Sequence, residues 1–372
     1  MVRWRRLTGI TGIAAGVTAA AVGAAVAAEK VAVGRIRLRR DPAAAEPLGQ
    51  LRGRVLTVLA DDGVPLHTEI DGPDDAPVTV IFSHGYTLNQ DCWHYQRRDL
   101  GAAGFGAPGA RTSGSANRLV FWDQRSHGRS GRSAAAHVTI DQTGHDLYTV
   151  IRAVAPAGAP VVLVGHSMGA MTIMALAEQH PELLGTQVVG VALISTSARG
   201  LYQVTLGLPG PLGGLVRSVT PGLMRGAAKG RRAVFVERAR QAGGDLAFLG
   251  TRFIAFGDPS TSPTVTDFLE QMIRATPVEV CAQFFAALIE HDKYAALPVL
   301  GQVPTVVITG GKDRLTPHAA AAEIAAAVPG AEFVVDTAAG HLIMLEHPDL
   351  VTTELHRLIN RVTMRLRGER TA

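Results

Sequence analysis

An α/β fold, with a mostly parallel sheet, helices on both faces and an inserted helical cap, is what this sequence predicts. Three observations predict it. Short apolar runs rich in Val, Ile and Leu recur along the chain, and segments of helical composition separate most of them. Several runs, such as Val161-Val162-Leu163-Val164 and Val188–Ile194, are apolar throughout rather than alternating, as strands buried on both faces are. One long block, 198–302, breaks the alternation. It is helix-like and interrupted by Pro and Gly, as at Gly207-Leu208-Pro209-Gly210-Pro211, so it reads as an insertion between two strands.

In chain order, residues 54–60 and 66–70 read as two strands around an Asp61-Asp62-Gly63 turn. Residues 78–82 form a buried strand that ends at Ser83-His84-Gly85-Tyr86. Residues 101–117 are rich in Gly, Ala and Ser and read as a surface excursion. Arg118–Trp122 is a strand ending at Asp123, 141–155 is a helix, and 160–164 is a strand. Val188–Ile194, 303–309 and 331–335 are the later strands, and 349–362 is a closing amphipathic helix. No internal repeat is visible. The expected organisation is a transmembrane anchor or signal segment over 1–28, a linker over 29–53, a core in two parts over 54–197 and 303–372, and the cap over 198–302.

The chain has 372 residues, 47% of them hydrophobic, enough to bury the core of one large domain. Its net charge of +4 is unevenly spread. Residues 1–41 hold eight Lys or Arg against Glu29 and Asp41, a local +6, which leaves −2 for the rest. That balance excludes a basic nucleic-acid-binding body. The positive charge flanks residues 7–28, which carry no ionisable side chain. As a helix that segment would be about 33 Å long, enough for a hydrocarbon core of roughly 30 Å. Ala25-Val26-Ala27 also offers a signal-cleavage site, and a soluble N-terminal helix is the third reading. The chain is therefore expected to be membrane-anchored through this segment or exported. Basic residues on both sides leave the orientation open. Cys92 and Cys281 read as separate thiols, and no Cys/His spacing indicates a metal.

The chemistry centres on Gly165-His166-Ser167-Met168-Gly169. A serine between two glycines, where a buried strand turns into a helix, has the spacing of a nucleophile elbow. The following helix directs its positive end at the serine, which favours a developing oxyanion. A serine hydroxyl needs a base, and the base needs an orienting group. Asp313 follows the strand at 303–309 in a Gly310-Gly311-Lys312-Asp313 turn. His341 follows the last strand in Ala339-Gly340-His341. Parallel strands would bring all three to their carboxyl ends. Asp336 is the nearby competitor to Asp313. Asp123 reads as ordering its loop, His127 as packing, and His84 and His166 as packing groups or candidate substrate contacts.

With these motifs and Asp123-Gln124-Arg125-Ser126-His127-Gly128-Arg129-Ser130, the sequence resembles the α/β-hydrolase-fold serine hydrolases of the capped esterase/lipase and peroxidase-like type, over roughly 54–365. The resemblance implies that the backbone N–H groups of Tyr86 and Met168 form an oxyanion hole. It also implies hydrolysis of carboxylic esters, lipid esters and thioesters included, through an acyl-enzyme on Ser167, with no cofactor. Relatives that open epoxides or remove halides use an aspartate at the elbow, so the serine argues against both. A cofactor-free perhydrolase or haloperoxidase-like activity is the alternative within enzymes. A catalytically silent protein that binds an apolar ligand is the alternative outside them. Phe248, Phe253, Phe256, Phe268, Phe284 and Phe285 give the cap both a core and an apolar pocket wall. The basic stretch Arg225, Lys229, Arg231, Arg232, Arg238 and Arg240 reads as a solvated face or as a contact for anionic lipid.

Overall fold

The computed structural model describes residues 30–101, 117–200 and 244–371, with residue 32 and the side chains of residues 246 and 369–371 left out. The expected N-terminal segment, the 101–117 excursion and the basic stretch of the cap lie, wholly or almost so, outside the described residues.

Eight strands form one sheet in the order β1-β2-β4-β3-β5-β6-β7-β8. They are β1 (Arg54–Leu59), β2 (Pro65–Asp71), β3 (Thr79–Ser83), β4 (Arg118–Trp122), β5 (Val161–His166), β6 (Val188–Ile194), β7 (Thr305–Gly310) and β8 (Glu332–Asp336). From β4 to β8 every pairing is parallel. The hairpin β1–β2 adds to one edge antiparallel, with β2 antiparallel to β4. Helices connect the rest: α1 (His94–Leu100), α2 (Ile140–Val154), α3 (Met168–Gln179), then α4 (Asp245–Ala255), α5 (Pro263–Ala275) and α6 (Val278–Glu290) between β6 and β7, then α7 (His318–Ala327) and α8 (Pro348–Thr371).

The all-apolar strands follow from burial on two faces. Val80, Phe82, Val162, Val164, Ala192 and Ile194 join one core with Leu355, Leu358 and Ile359 of α8. Their neighbours Ile81, Leu163, Val191 and Leu193 join a second core with Leu147 and Ile151 of α2 and Ile173 of α3. Successive side chains of a strand point to opposite faces, so neither face tolerates a polar residue here.

β3 lies between β4 and β5, so the chain crosses from one side of β3 to the other after β4. A crevice opens at such a reversal, outside the carboxyl ends of the strands. Register aligns those ends: Ser83 is level with Trp122 and with Gly165, and Gly310 with Asp336.

The 29–53 stretch, read as a linker for its lack of periodicity, is helical over 33–37 and fastened to the insertion. Val33 is buried, and Arg37 pairs with Asp267 at 3.1 Å. Asp41 accepts bonds from Thr264 N–H and from the hydroxyls of Ser262 and Thr264 at the start of α5. α8 runs nine residues past the expected 362, because Met, Arg and Leu are good helix formers and Leu366 still packs against the core. Among the described residues no single helix is long and apolar enough to cross a membrane.

Candidate active site

Four strand ends deliver the site. Ser83 ends β3 with His84 and Gly85 just beyond it, Ser167 follows β5, Asp313 lies beyond β7 and His341 beyond β8. Ser167 is the residue before α3 and has φ 52° and ψ −116°, a left-handed conformation unusual for a non-glycine residue. Such strain costs about 1–3 kcal/mol and persists only where neighbours enforce it. Here Ser167 N–H donates to Ile194 O at 2.9 Å, and the Thr196 hydroxyl donates to Ser167 O at 3.0 Å. Gly169 is required by a close approach: a Cβ there would stand 2.1 Å from Ser83 O and 2.8 Å from His84 O. The first turn of α3 therefore lies against the 83–86 backbone. Met168 N–H, in that first turn, has no acceptor within its helix.

His341 Nδ1–H donates to Asp313 Oδ2 at 2.8 Å. Asp313 is held in turn. Its Oδ1 accepts the N–H groups of Leu315 and Thr316, both at 2.8 Å, and its Oδ2 accepts the Thr316 hydroxyl, also at 2.8 Å. Burial alone would raise the pKa of Asp313. The facing His341 and the donors of Thr316 more than offset this and hold the carboxyl below its ordinary value. A proton on Nδ1 leaves Nε2 of His341 as a lone-pair acceptor. The His341 ring lies 4.8 Å from the ring of His166, the residue before Ser167. Among the described residues the Ser167 hydroxyl makes no hydrogen bond.

The other histidines serve the frame. His84, a candidate substrate contact, is fully buried. Its Nδ1–H donates to Gly85 O at 2.8 Å and its Nε2 accepts Gln124 N–H at 2.9 Å. Both ring nitrogens are committed to backbone, which fixes the turn before Tyr86 and leaves none for a ligand. His166, the other candidate, is also buried. Its Nε2–H donates to the backbone oxygen of His341 at 2.9 Å, and its Nδ1 has no partner among the described residues. Burial drives both pKa values down to about 3, so both rings stay neutral. His127 donates from Nδ1 to Arg125 O at 3.0 Å and stacks its edge on Phe284 at 4.8 Å. Asp123 accepts the N–H groups of Gln90 and Arg129, at 2.7 and 2.8 Å, and so orders its own loop. Burial lifts its pKa to about 6. Asp336 bonds His347, not His341.

The insertion closes the wall beside α3. Val280, Phe284 and Leu288 of α6 pack with Met168, Met171, Val138 and Ile140, and Tyr86 rests on this cluster. The Tyr86 hydroxyl donates to Cys281 O at 2.5 Å. Phe248, Phe256 and Phe268 are buried in the insertion, Phe285 is half-buried and Phe253 is 51% exposed. Cys92 and Cys281 are buried thiols. Among the described residues no cluster of His, Cys, Asp and Glu is set to hold a metal. Sequence reasoning missed Thr316, although an Asp followed three residues later by Thr is a recognisable side-chain turn pattern.

A strained serine at the head of a helix, under the switch point of a mostly parallel sheet, is the arrangement of an α/β hydrolase. The chain belongs to the alpha/beta hydrolase family, whose sequence profile matches residues 80–354. It is similar to the AB hydrolase superfamily protein YisY of Bacillus subtilis, 24% identical over 76% of this chain and 91% of that protein. It is 28% identical to the pimeloyl-[acyl-carrier protein] methyl ester esterase of Stenotrophomonas maltophilia, over 60% of this chain and 78% of that one. Among solved structures, the thermophilic esterase of Thermogutta terrifontis superposes with a TM-score of 0.61 at 25% identity, over 83% of this chain and 98% of that one.

Proposed function

We propose that the protein is a serine hydrolase of carboxylic esters, lipid esters and thioesters included, acting through an acyl-enzyme on Ser167. The observation that carries this reading is the 2.8 Å bond from His341 Nδ1–H to Asp313, on a ring that stands beside the strained elbow. His341 Nε2 takes the proton of Ser167 as its oxygen attacks the acyl carbon. The tetrahedral oxyanion accepts the N–H groups of Tyr86 and Met168. The leaving alcohol or thiol then takes the proton from His341. A water attacks the acyl-enzyme with its proton passing to His341, and return of that proton to Ser167 releases the acid. Asp313 holds the tautomer and stabilises the imidazolium. Contacts between nucleophile and base are often long in free enzymes and tighten around the substrate, which accords with the unbonded Ser167 hydroxyl.

The apolar cluster of Met168, Met171, Val280 and Phe284, buried beside the elbow, supports apolar surroundings for the acyl group. The curated relative that hydrolyses a methyl ester supports esters as the class. On its length and lack of ionisable side chains, residues 7–28 serve as the anchor or export signal in this reading.

The test uses a fluorophosphonate probe and a series of p-nitrophenyl esters of graded chain length. Wild-type protein is expected to label at Ser167 and to hydrolyse the esters. Ser167→Ala should do neither while melting within a few degrees of wild type. Well-folded wild-type protein that neither labels nor hydrolyses would overturn the reading.

A further inference from the structure

We propose that Glu346 is a positioning residue for the base His341, and that its carboxylate couples the inserted helices to the base. The inference rests on the role given to His341 above. Five residues after His341, the Glu346 carboxylate collects donors from two segments that are far apart in sequence. Its Oε2 accepts Gly340 N–H at 2.6 Å, from the residue before the base. Its Oε1 accepts Gly257 N–H at 2.8 Å and Asp258 N–H at 2.5 Å, from the segment that leaves α4. The Thr261 hydroxyl adds a longer bond of 3.2 Å to the same oxygen.

The two segments touch. A Cβ on Gly340 would stand 2.6 Å from Gly257 N, and one on Gly257 would stand 2.7 Å from Gly340 N. Both N–H groups turn to the Glu346 carboxylate, which satisfies one with each oxygen. Other bonds close the same seam. Leu342 N–H donates to Ala255 O at 3.1 Å. Lys312, next to Asp313, reaches Gly257 O at 3.2 Å, and Arg314 reaches Phe253 O and Phe256 O at 2.6 and 3.0 Å. On the far side of the base, His166 holds the backbone oxygen of His341. The Gly340-His341 segment is thus gripped by Glu346 at the N–H that enters it and by His166 at the carbonyl that leaves it. A tilt of the α4 end would pass through one carboxylate to the ring that must meet Ser167.

Glu346→Gln tests this in the full chain. A glutamine keeps one acceptor oxygen and turns an NH₂ toward one of the two N–H groups. Either the base loop or the insertion then loses its bond. On a p-nitrophenyl ester, kcat is expected to fall about 10- to 100-fold, because a misplacement near 1 Å costs that order. KM should stay within about twofold. The low-field proton signal of His341 Nδ1–H should shift or broaden. Glu346→Asp keeps the charge and should lose less kcat than Glu346→Gln. If the glutamine variant does not fold, the aspartate variant is read in its place, with an expected loss of several-fold in kcat at unchanged KM. A wild-type kcat, or a change confined to KM, overturns the inference. If wild type itself neither turns over nor labels, the hydrolase reading fails. The positioning inference is then decided by the His341 proton signal, which supports it if displaced in the variant and overturns it if unchanged.

Discussion

Asp313→Asn is the substitution for which the geometry makes the sharpest demand. Asp313 serves four donors, two on each oxygen. An asparagine has one acceptor oxygen. The N–H groups of Leu315 and Thr316 belong to a turn and cannot rotate, so the amide oxygen is drawn to them. The NH₂ then faces His341 Nδ1, which must accept instead of donate. The ring proton moves to Nε2, and the base has no lone pair for Ser167. In serine proteases the corresponding change lowers kcat by about 10⁴, or about 5.4 kcal/mol of barrier. The same loss is expected here in p-nitrophenyl ester hydrolysis and in the rate of fluorophosphonate labelling. Stability should fall by about 1.5–3 kcal/mol, the range for a hydrogen bond to a charged group. The sign with pH follows from the depressed pKa of Asp313, where burial opposes and His341 prevails. A depressed carboxyl stabilises the fold above its ordinary value and loses that contribution as pH falls through the folded pKa. The deficit of the variant should therefore be full at neutral pH and shrink in acid. Asp336→Asn, which changes the carboxylate bonded to His347, should cost less than tenfold in turnover. An Asp313→Asn protein within tenfold of wild type would refute the tautomer argument.

Two further predictions test the frame. Arg125 is wholly buried, with both oxygens of buried Asp146 at 2.6 Å and Asp62 at 2.8 Å. Arg125→Met strands the Asp146 carboxylate, so urea unfolding should show a loss of about 3–5 kcal/mol, with Arg125→Met/Asp146→Leu losing less; a loss below about 1 kcal/mol would contradict it. His347 opposes its partial burial by bonding Asp336, and its pKa is raised. Its stabilisation should be full below the ordinary histidine value and vanish as pH rises through the folded pKa. His347→Gln should thus cost up to about 1 kcal/mol near pH 5.5 and nothing near pH 9, and an equal cost at both would refute the assignment.

What was legible in the sequence was what local turn chemistry encodes. The elbow at Ser167 needs only a strand, two glycines and a helix in register, and all of these lie within some twenty residues. Asp313 and His341 were legible because each follows a strand at the end where the sheet opens. The choice of Asp313 over Asp336 was less secure. The register sets Gly310 beside Asp336, so both carboxylates emerge on one side of the sheet. Asp313 reaches His341 from three residues beyond its strand, whereas Asp336, the last residue of β8, meets His347. His84 looked like a substrate contact because proximity can be inferred from a motif, while the direction of a ring cannot. α1 escaped notice because it has seven residues, and α7 because its alanines give little contrast between faces. Glu346 was invisible for a deeper reason. Its partners are backbone N–H groups, and these belong to every residue alike.

The two halves of the proposed chemistry are held by different parts of the molecule. Ser167 is held by β6 and the residues just after it, through Ile194 O and the Thr196 hydroxyl, inside the close-packed sheet. Its strain is imposed from a fully buried strand end, and neither bond involves a residue of α4, α5 or α6. His341 is held by His166 on the core side and, through Glu346 and Ala255, by the end of α4. The insertion also reaches the oxyanion side, where the Tyr86 hydroxyl bonds Cys281 and Phe284 packs on Met168. In the proposed reaction a substrate lodged against α6 lies beside Tyr86 and Met168, the proposed oxyanion donors, while the bonds that hold Ser167 come from β6 and the residues just after it. In that proposed reaction, insertions that differ in sequence would change the acyl group accepted while the bonds to Ser167 stay in place. They do so at the risk of moving the base, and the carboxylate bonded to both Gly257 and Gly340 is the point at which that risk is concentrated.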